Sequence, residues 1–239
     1  MLYAKPTPHH GGVFLYGDYL DFEELYDALH TVIGEEEEYS SYQAVRIRIL
    51  GLCYDIRHAL MGNREFEFVS NGMDENKMKE LAMIVPKKNL YIKFPVLWPE
   101  VLFLVMVLKD FILLYQKKSK QPEWDIHIAT VHKFRAVVAE ALQQVAAGLS
   151  FRRTLKLMTQ EDFWFEDYTT QYVDILNSKF LAMNKEKRLK NITIMARRIA
   201  EKGEEYRKVR EEVREEALRC NCSRDEIQYE WDYPEFILW

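Results

Sequence analysis

Two nine-residue segments of the chain share the pattern Tyr-Asp-x-x-His, followed after one residue by two apolar residues and Gly. They read YDALHTVIG at 26–34 and YDIRHALMG at 54–62. Residues three apart lie on the same face of an α-helix, so the carboxylate and imidazole of each repeat could bind one divalent metal ion. Paired acidic-x-x-His helices form the di-metal sites of four-helix proteins. The pattern therefore raises the hypothesis of a metal-dependent enzyme with a site between two helices, and its four predicted ligands are Asp27, His30, Asp55 and His58.

The same residues also fit a structural role at the end of each helix. Gly34 and Gly62 would stop the two helices, and a histidine in the last turn is favoured by the negative end of the helix dipole. The aspartate one turn earlier can accept a hydrogen bond from that histidine. The pattern uses Asp where di-metal bundles use Glu, and no further ligand is identifiable. The structural interpretation is therefore favoured over the metal site.

Other sequence motifs for catalysis are missing. The chain has neither a Walker loop nor a glycine-rich dinucleotide fingerprint, and it lacks Gly-x-Ser-x-Gly. His127 and His132 are five residues apart, about 140° around a helix, and so do not form the i, i+4 pair of a zinc protease. Cys220 and Cys222 lack a second ligand pair for zinc. These absences lower the support for an enzyme, and no catalytic residue is predicted.

A long helix is predicted from residue 185 to about 220, with Gly203 as the one glycine inside it. Its apolar residues recur in alternating steps of three and four, interrupted at Lys202 and Glu216. This stripe predicts burial of one side, against the body of the protein or against a partner. The stripe residues are Ile192, Met195, Ile199, Tyr206, Val209 and Val213.

The first part of this helix is basic, which suggests contact with nucleic acid as a weaker hypothesis. A solvated helix face is the favoured explanation of these charges, and the chain as a whole carries a net charge of −5. The overall charge therefore gives no field that would gather nucleic acid or an anionic membrane. The basic side chains in question are Lys185, Lys187, Arg188, Lys190, Arg197 and Arg198.

The segment 224–239 is acidic and rich in aromatic residues, including Trp231, Phe236 and Trp239. A free terminus rarely carries so many aromatic side chains, so the segment is expected to dock. It would pack on its own body, or bind a groove of a partner, where aromatic anchors concentrate binding energy.

The elements that must position these residues are mostly helical. Nine glycines and seven prolines in 239 residues leave few helix breakers. Short strands are predicted at 13–16, 64–70 and 90–94, and the apolar segment 96–115 is predicted to be a central buried helix. The expected class is mainly α (α+β), with a helical bundle-like body, a small antiparallel β element and a long C-terminal helix. Three regions are expected: a globular domain at 1–183, the amphipathic helix at 184–223 and the tail at 224–239.

The chain is expected to be cytoplasmic and not to enter a membrane. Residues 1–12 lack the charged-then-apolar pattern of a secretory signal. The apolar segment 96–115 contains Glu100, Lys109 and Asp110, so it is not an uninterrupted membrane span. The three cysteines are too few and too poorly spaced for a disulfide framework, which favours reduced thiols in a cytosol.

The segments YGDYLDF at 16–22, YDIRHALMG at 54–62 and LWPE at 97–100 together resemble an uncharacterised family of bacterial proteins of this length, mostly from Bacillus-like organisms. The resemblance covers much of the chain and implies a bacterial cytosolic origin. That family has no established activity, so the resemblance transfers no catalytic residue.

The first functional hypothesis is a non-enzymatic interaction or regulatory protein that binds a protein partner or a second copy of itself. The metal-dependent enzyme, with a divalent metal ion as cofactor, is the alternative, and nucleic-acid binding is the weaker one. The predicted partner contacts lie on the long helix and the tail: Ile192, Met195, Ile199, Tyr206, Val209, Trp231, Phe236 and Trp239.

Overall fold

The computed structural model describes residues 1–146, 148–160, 164–228, 234 and 236–239. Within these residues the chain forms nine α-helices and one four-stranded antiparallel sheet, which confirms the mainly α, α+β class. The helices are α1 (Tyr19–Ile33), α2 (Gln43–Leu60), α3 (Glu75–Glu80), α4 (Trp98–Ser119), α5 (Ile126–Val145), α6 (Gly148–Thr159), α7 (Gln171–Leu181), α8 (Lys185–Glu201) and α9 (Glu204–Cys220).

The sheet has the order β1-β2-β4-β3, and its strands are β1 (Tyr3–Pro6), β2 (Gly12–Gly17), β3 (Glu65–Ser70) and β4 (Lys88–Leu97). The sequence pattern predicted β2, β3 and β4 but not β1. That strand is short and ends in Pro6, and proline is tolerated there because β1 lies at an edge of the sheet. Strand β2 needs Gly12 because a Cβ at that position would lie 1.9 Å from the carbonyl oxygen of Val96.

Helix α1 begins at a reciprocal cap. The side chain of Asp18 accepts a hydrogen bond from the backbone N–H of Asp21 at 2.9 Å, and the side chain of Asp21 accepts one from the backbone N–H of Asp18 at 3.1 Å. Each bond satisfies a donor that the first turn of a helix leaves unpaired. Local sequence therefore sets the start of this helix.

Helix α4 forms the centre of the core and packs against α1, α5, α6, α7 and α8. Pro99 occupies its first turn, where a missing N–H costs nothing, and all residues from 101 to 112 are buried. Two of these are charged, Lys109 and Asp110. Asp110 accepts hydrogen bonds from the backbone N–H of Phe165 at 2.7 Å and from the hydroxyl of Tyr42 at 3.3 Å, and burial raises its pKa. None of the helices in the described residues combines the length and apolar character that a membrane crossing requires.

The segment predicted to be one long C-terminal helix consists of two helices. Helix α8 ends at Glu201, Lys202 adopts the left-handed conformation with φ 48°, and α9 starts after Gly203. The Lys202 ammonium lies about 5.5 Å from the ring of Tyr168 and donates a hydrogen bond to the carbonyl of Trp164. The charge that interrupts the apolar stripe therefore marks the point where the chain changes direction.

Candidate functional site

The two Tyr-Asp-x-x-His repeats lie on α1 and α2, which form an antiparallel pair. The Arg46 guanidinium, in the first turn of α2, donates a hydrogen bond at 3.0 Å to the carbonyl of Gly34, just after the end of α1. Each repeat ends its own helix, so the antiparallel arrangement places His30 and His58 at opposite ends of the pair. Counted from the contact of Arg46 with Gly34, His30 lies level with about residue 50 of α2, so the two histidines are about 12 Å apart along the helix axis, at 1.5 Å per residue.

Within each repeat the histidine ring packs at an angle against the tyrosine one turn before it. The ring centroids of Tyr26 and His30 are 4.5 Å apart, and those of Tyr54 and His58 are 4.2 Å apart. Burial lowers the pKa of His30, and the nearby charge of Arg46 lowers it further. The repeat thus has a local explanation, an aromatic pair at i and i+4 that closes the last turns of each helix.

The aspartates of the repeats do not complete a metal site. Asp27 is exposed, and Asp55 forms an ion pair with Arg64 at 2.5 Å. No group of three or more His, Cys, Asp or Glu side chains in the described ranges is placed to hold a metal ion. The four ligands predicted from the sequence are therefore not brought together.

The apolar stripe of the C-terminal helices faces the body of the same chain. Ile192, Met195 and Ile199 are completely buried where α8 packs on α4, α6 and α7. Tyr206 and Val209 on α9 are also buried, and the Tyr206 hydroxyl accepts a hydrogen bond from the backbone N–H of Thr169 at 3.1 Å. These five predicted partner contacts are thus core residues of the chain itself.

The predicted contacts in the tail have different surroundings. Trp231 lies outside the described residues. Phe236 is exposed, whereas Trp239 is half-buried and its carbonyl accepts a hydrogen bond from the backbone N–H of His9 at 3.0 Å. Arg188, which belongs to the basic start of α8, is buried and donates to the carbonyl of Leu238 at 2.7 Å. The last residues therefore dock between the β1–β2 turn and α8.

A charged network that no sequence motif predicted connects α2, α4 and α7. The Arg48 guanidinium binds the carboxylate of Glu100 at 2.7 Å and that of Asp174 at 2.6 Å, and it also donates to the carbonyl of Thr170. The side-chain amide of Asn177 donates to Glu100 at 2.9 Å. Burial alone would disfavour the charge on Arg48, but the two adjacent carboxylates outweigh it and raise the pKa of Arg48. A single arginine between Ile47 and Ile49 was the only local signal of this network.

This network borders a cavity of about 300 Å³ that is also lined by Gly51, Leu52, Val96 and Leu104. All five N–H groups of Arg48 are already engaged, by Glu100, Asp174 and the Thr170 carbonyl. The guanidinium therefore has no donor left for a ligand. The arrangement acts as a clamp between helices.

The largest group of exposed apolar side chains lies on residues 65–90. This segment, the arm, comprises β3, α3 and the first residues of β4. No side chain between residues 65 and 90 is buried. Within the described residues, β4 is the only element that packs extensively on β3. Six large apolar side chains of the arm are exposed: Phe66 (64%), Phe68 (62%), Leu81 (60%), Met83 (42%), Ile84 (98%) and Leu90 (48%).

The two faces of the arm have different chemistry. Phe66 pairs with Ile92 and Phe68 pairs with Leu90, so these four side chains share one face of the sheet. The same face continues along β4 to the buried Phe94, and there it forms part of the core. The opposite face carries Lys93, which pairs with Glu65 at 3.4 Å and with Glu67 at 3.3 Å. The arm thus extends the core-facing side of the sheet beyond the helices that cover it.

These features define a mainly helical α+β protein whose small antiparallel sheet extends into an uncovered arm. The chain belongs to the family described as Domain of unknown function (DUF6904), whose family model matches residues 2–239. The family resemblance noted from the sequence is confirmed to that extent. No curated protein and no solved structure matches the chain.

Proposed function

We propose that the chain is a non-enzymatic interaction protein of the bacterial cytosol and that its contact surface is the arm, residues 65–90. The observation that carries the proposal is the apolar face formed by Phe66, Phe68 and Leu90, whose side chains are 64%, 62% and 48% exposed. Contiguous exposed apolar patches of this kind mark interaction sites in soluble proteins.

The low stability expected of an uncovered pair of strands supports the same proposal. A two-stranded hairpin is marginally stable in water unless a further layer covers its apolar face. The arm pairs with the rest of the sheet at its base, but residues 65–90 bury no side chain. A bound protein surface would supply the missing layer and would remove the exposed phenylalanine rings from water.

The surfaces first expected to bind a partner are less accessible. Ile192, Met195 and Ile199 are completely buried on the chain's own body, so they have no surface to offer. Of the tail residues, Phe236 is exposed and could add to a contact. The contact surface proposed here therefore shifts from the C-terminal helices to the arm.

The cytosolic setting is supported by the cysteines. All three are free thiols, and burial raises the pKa of Cys53 to about 12, which keeps its thiol protonated and unreactive. The resemblance to bacterial proteins supports the bacterial origin.

Photo-cross-linking in cells tests the proposal. A photoreactive phenylalanine analogue placed at position 68 is expected to give a covalent adduct of discrete mass with another protein chain. The matched control is the same analogue at position 218, because Leu218 is an apolar residue on α9 that is 73% exposed but lies away from the arm. Equal adduct formation at the two positions, or none at position 68, would exclude the arm as the contact surface.

A further inference from the structure

A cavity of about 410 Å³ lies between α4 and α5, and none of its lining residues belongs to the arm. Its volume falls within the range of small-molecule sites, about 300–1,000 Å³. Four of the side chains that line it carry N–H donors: Lys109, Gln116, His132 and Arg135. Among the described residues around the cavity, the exposed Glu123 is the one carboxylate. The cavity is therefore richer in donors than in acceptors.

Arg135 is anchored at the cavity and keeps donors for a ligand. Its Nε donates to the carbonyl of Val105 at 3.0 Å, and its Nη1 lies 3.3 Å from Nδ1 of His132. An arginine carries five N–H groups, so three remain after these two contacts within the described part of the chain. The guanidinium forms no ion pair with a described carboxylate, and burial lowers the pKa of Arg135. A shielded cation without a paired carboxylate favours the binding of an anion.

Asp110 is the buried carboxylate whose charge acts on Arg135, but other groups already engage it. It pairs with Lys109 at 3.2 Å and accepts two further hydrogen bonds. Lys109 in turn donates to the carbonyl of Gln160 at 2.9 Å, so its ammonium is also engaged. The charge available to a ligand is therefore that of Arg135.

His132 adds a second donor beside Arg135. The guanidinium can only donate, so Nδ1 of His132 accepts and the ring proton lies on Nε2. Burial lowers the pKa of His132, and the charge of Arg135 lowers it further, which keeps the imidazole neutral at pH 7. The two side chains thus offer one full positive charge and one neutral N–H group.

We infer that this cavity binds a small organic carboxylate with an apolar body. The planar guanidinium matches a carboxylate, which accepts two parallel hydrogen bonds and brings one negative charge. A phosphate group would bring a charge of about −2 toward a single available cation, and it would approach the Glu123 carboxylate. The apolar body has Ile112, which is buried, and Leu113, which is 39% exposed, as its contact surface.

Isothermal titration calorimetry of the full chain with hexanoate tests the inference. A dissociation constant of about 1 mM is expected for a ligand of this size. Acetate has the same charge without the chain, so it should bind more weakly by about tenfold or more. Hexanamide has the same chain without the charge, and it should be weaker by a similar factor because it gives the guanidinium no anion to pair with.

Arg135→Gln should raise the dissociation constant of hexanoate about tenfold or more, because it removes the cation. Arg207→Gln is the matched control: it removes one positive charge from an exposed position on α9 and should leave the constant within about twofold. An unchanged constant in Arg135→Gln, equal binding of hexanoate and hexanamide, or no binding of hexanoate would overturn the inference. Tighter binding of inorganic phosphate than of hexanoate would also overturn it, in favour of a phosphate ligand.

NMR of the histidine rings needs no variant, and it decides the question if Arg135→Gln does not fold. Hexanoate should shift the Nε2 resonance of His132 and leave that of His58, in the last turn of α2, unchanged. Equal shifts of the two rings, or no shift of His132, would show that hexanoate does not occupy this cavity.

Discussion

Arg48 is a single side chain that joins three helices through its five N–H groups. It lies 52 residues from Glu100 and 126 residues from Asp174 along the chain. All three side chains are largely shielded from water, so the bidentate contacts act in a medium of lower dielectric than bulk water. One arginine therefore bridges two carboxylates that would otherwise repel each other.

We expect Arg48→Met to reduce the free energy of unfolding by about 3 kcal/mol, because it leaves two shielded carboxylates close together without their cation. Urea denaturation monitored by circular dichroism measures this loss. Arg219→Met is the matched control: Arg219 also pairs with a glutamate, but both side chains are exposed, so its change should have little effect. Equal stability of the two variants would show that the network contributes nothing specific.

The Tyr-Asp-x-x-His repeats show which features of single residues could be predicted from the sequence. The spacing correctly indicated two helix ends with a histidine in the last turn, and those ends are present at His30 and His58. The antiparallel direction of α1 and α2 separated the two histidines, and no local pattern encodes that direction. The contact of each histidine ring with its tyrosine follows from the i, i+4 spacing and could have been predicted from it.

At the scale of elements, α8 and α9 are two helices that share one apolar stripe. The seven-residue step from Ile199 to Tyr206 fits a continuous helix as well as two helices with a break between them. The break occurs at Lys202, whose ammonium is held over the aromatic rings of Phe165 and Tyr168. Both helices still direct their stripe inward, which explains why the amphipathic pattern was correct although the helix count was not.

We expect Ile199→Asp to destabilise the protein by about 4 kcal/mol, because it places an unpaired carboxylate at a completely buried position. Thermal denaturation and sedimentation measure the outcome: the midpoint should fall, and the oligomeric mass of the folded protein should stay the same. Glu212→Asp, on the exposed side of α9, is the control and should alter neither quantity. An unchanged midpoint for Ile199→Asp would show that the stripe is not a packing surface.

At the scale of the whole molecule, the chain divides into a packed body and an uncovered arm. The body is centred on α4, whose residues 101–112 are all buried. The arm continues two strands of the same sheet outward, and its side chains lie in contact with solvent. Folding of the body is therefore expected not to depend on the arm.

We expect the body to fold without the outer arm. Replacing residues 68–90 by Asn-Gly joins the cross-strand pair of Glu67 and Tyr91 through a short hairpin turn. The melting temperature should stay within about 4 °C of the unmodified protein, because the removed residues bury no side chain. A loss of cooperative unfolding in a calorimetric scan would contradict the division into body and arm.

The sequence alone determined the features that depend on neighbouring residues. The helical class, the start of α1 at Asp18, the helix ends marked by Gly34 and Gly62, and the alternation of Glu and Phe in β3 all follow from contacts within a few positions. Only the tertiary structure decided which apolar face is covered, because burial depends on the element that lies across from it. The apolar stripe of α8 and α9 is buried on the chain's own body, whereas Phe66 and Phe68 are 64% and 62% exposed. The partners of Arg48 were decided in the same way, since residues from three distant segments meet there only when the helices pack.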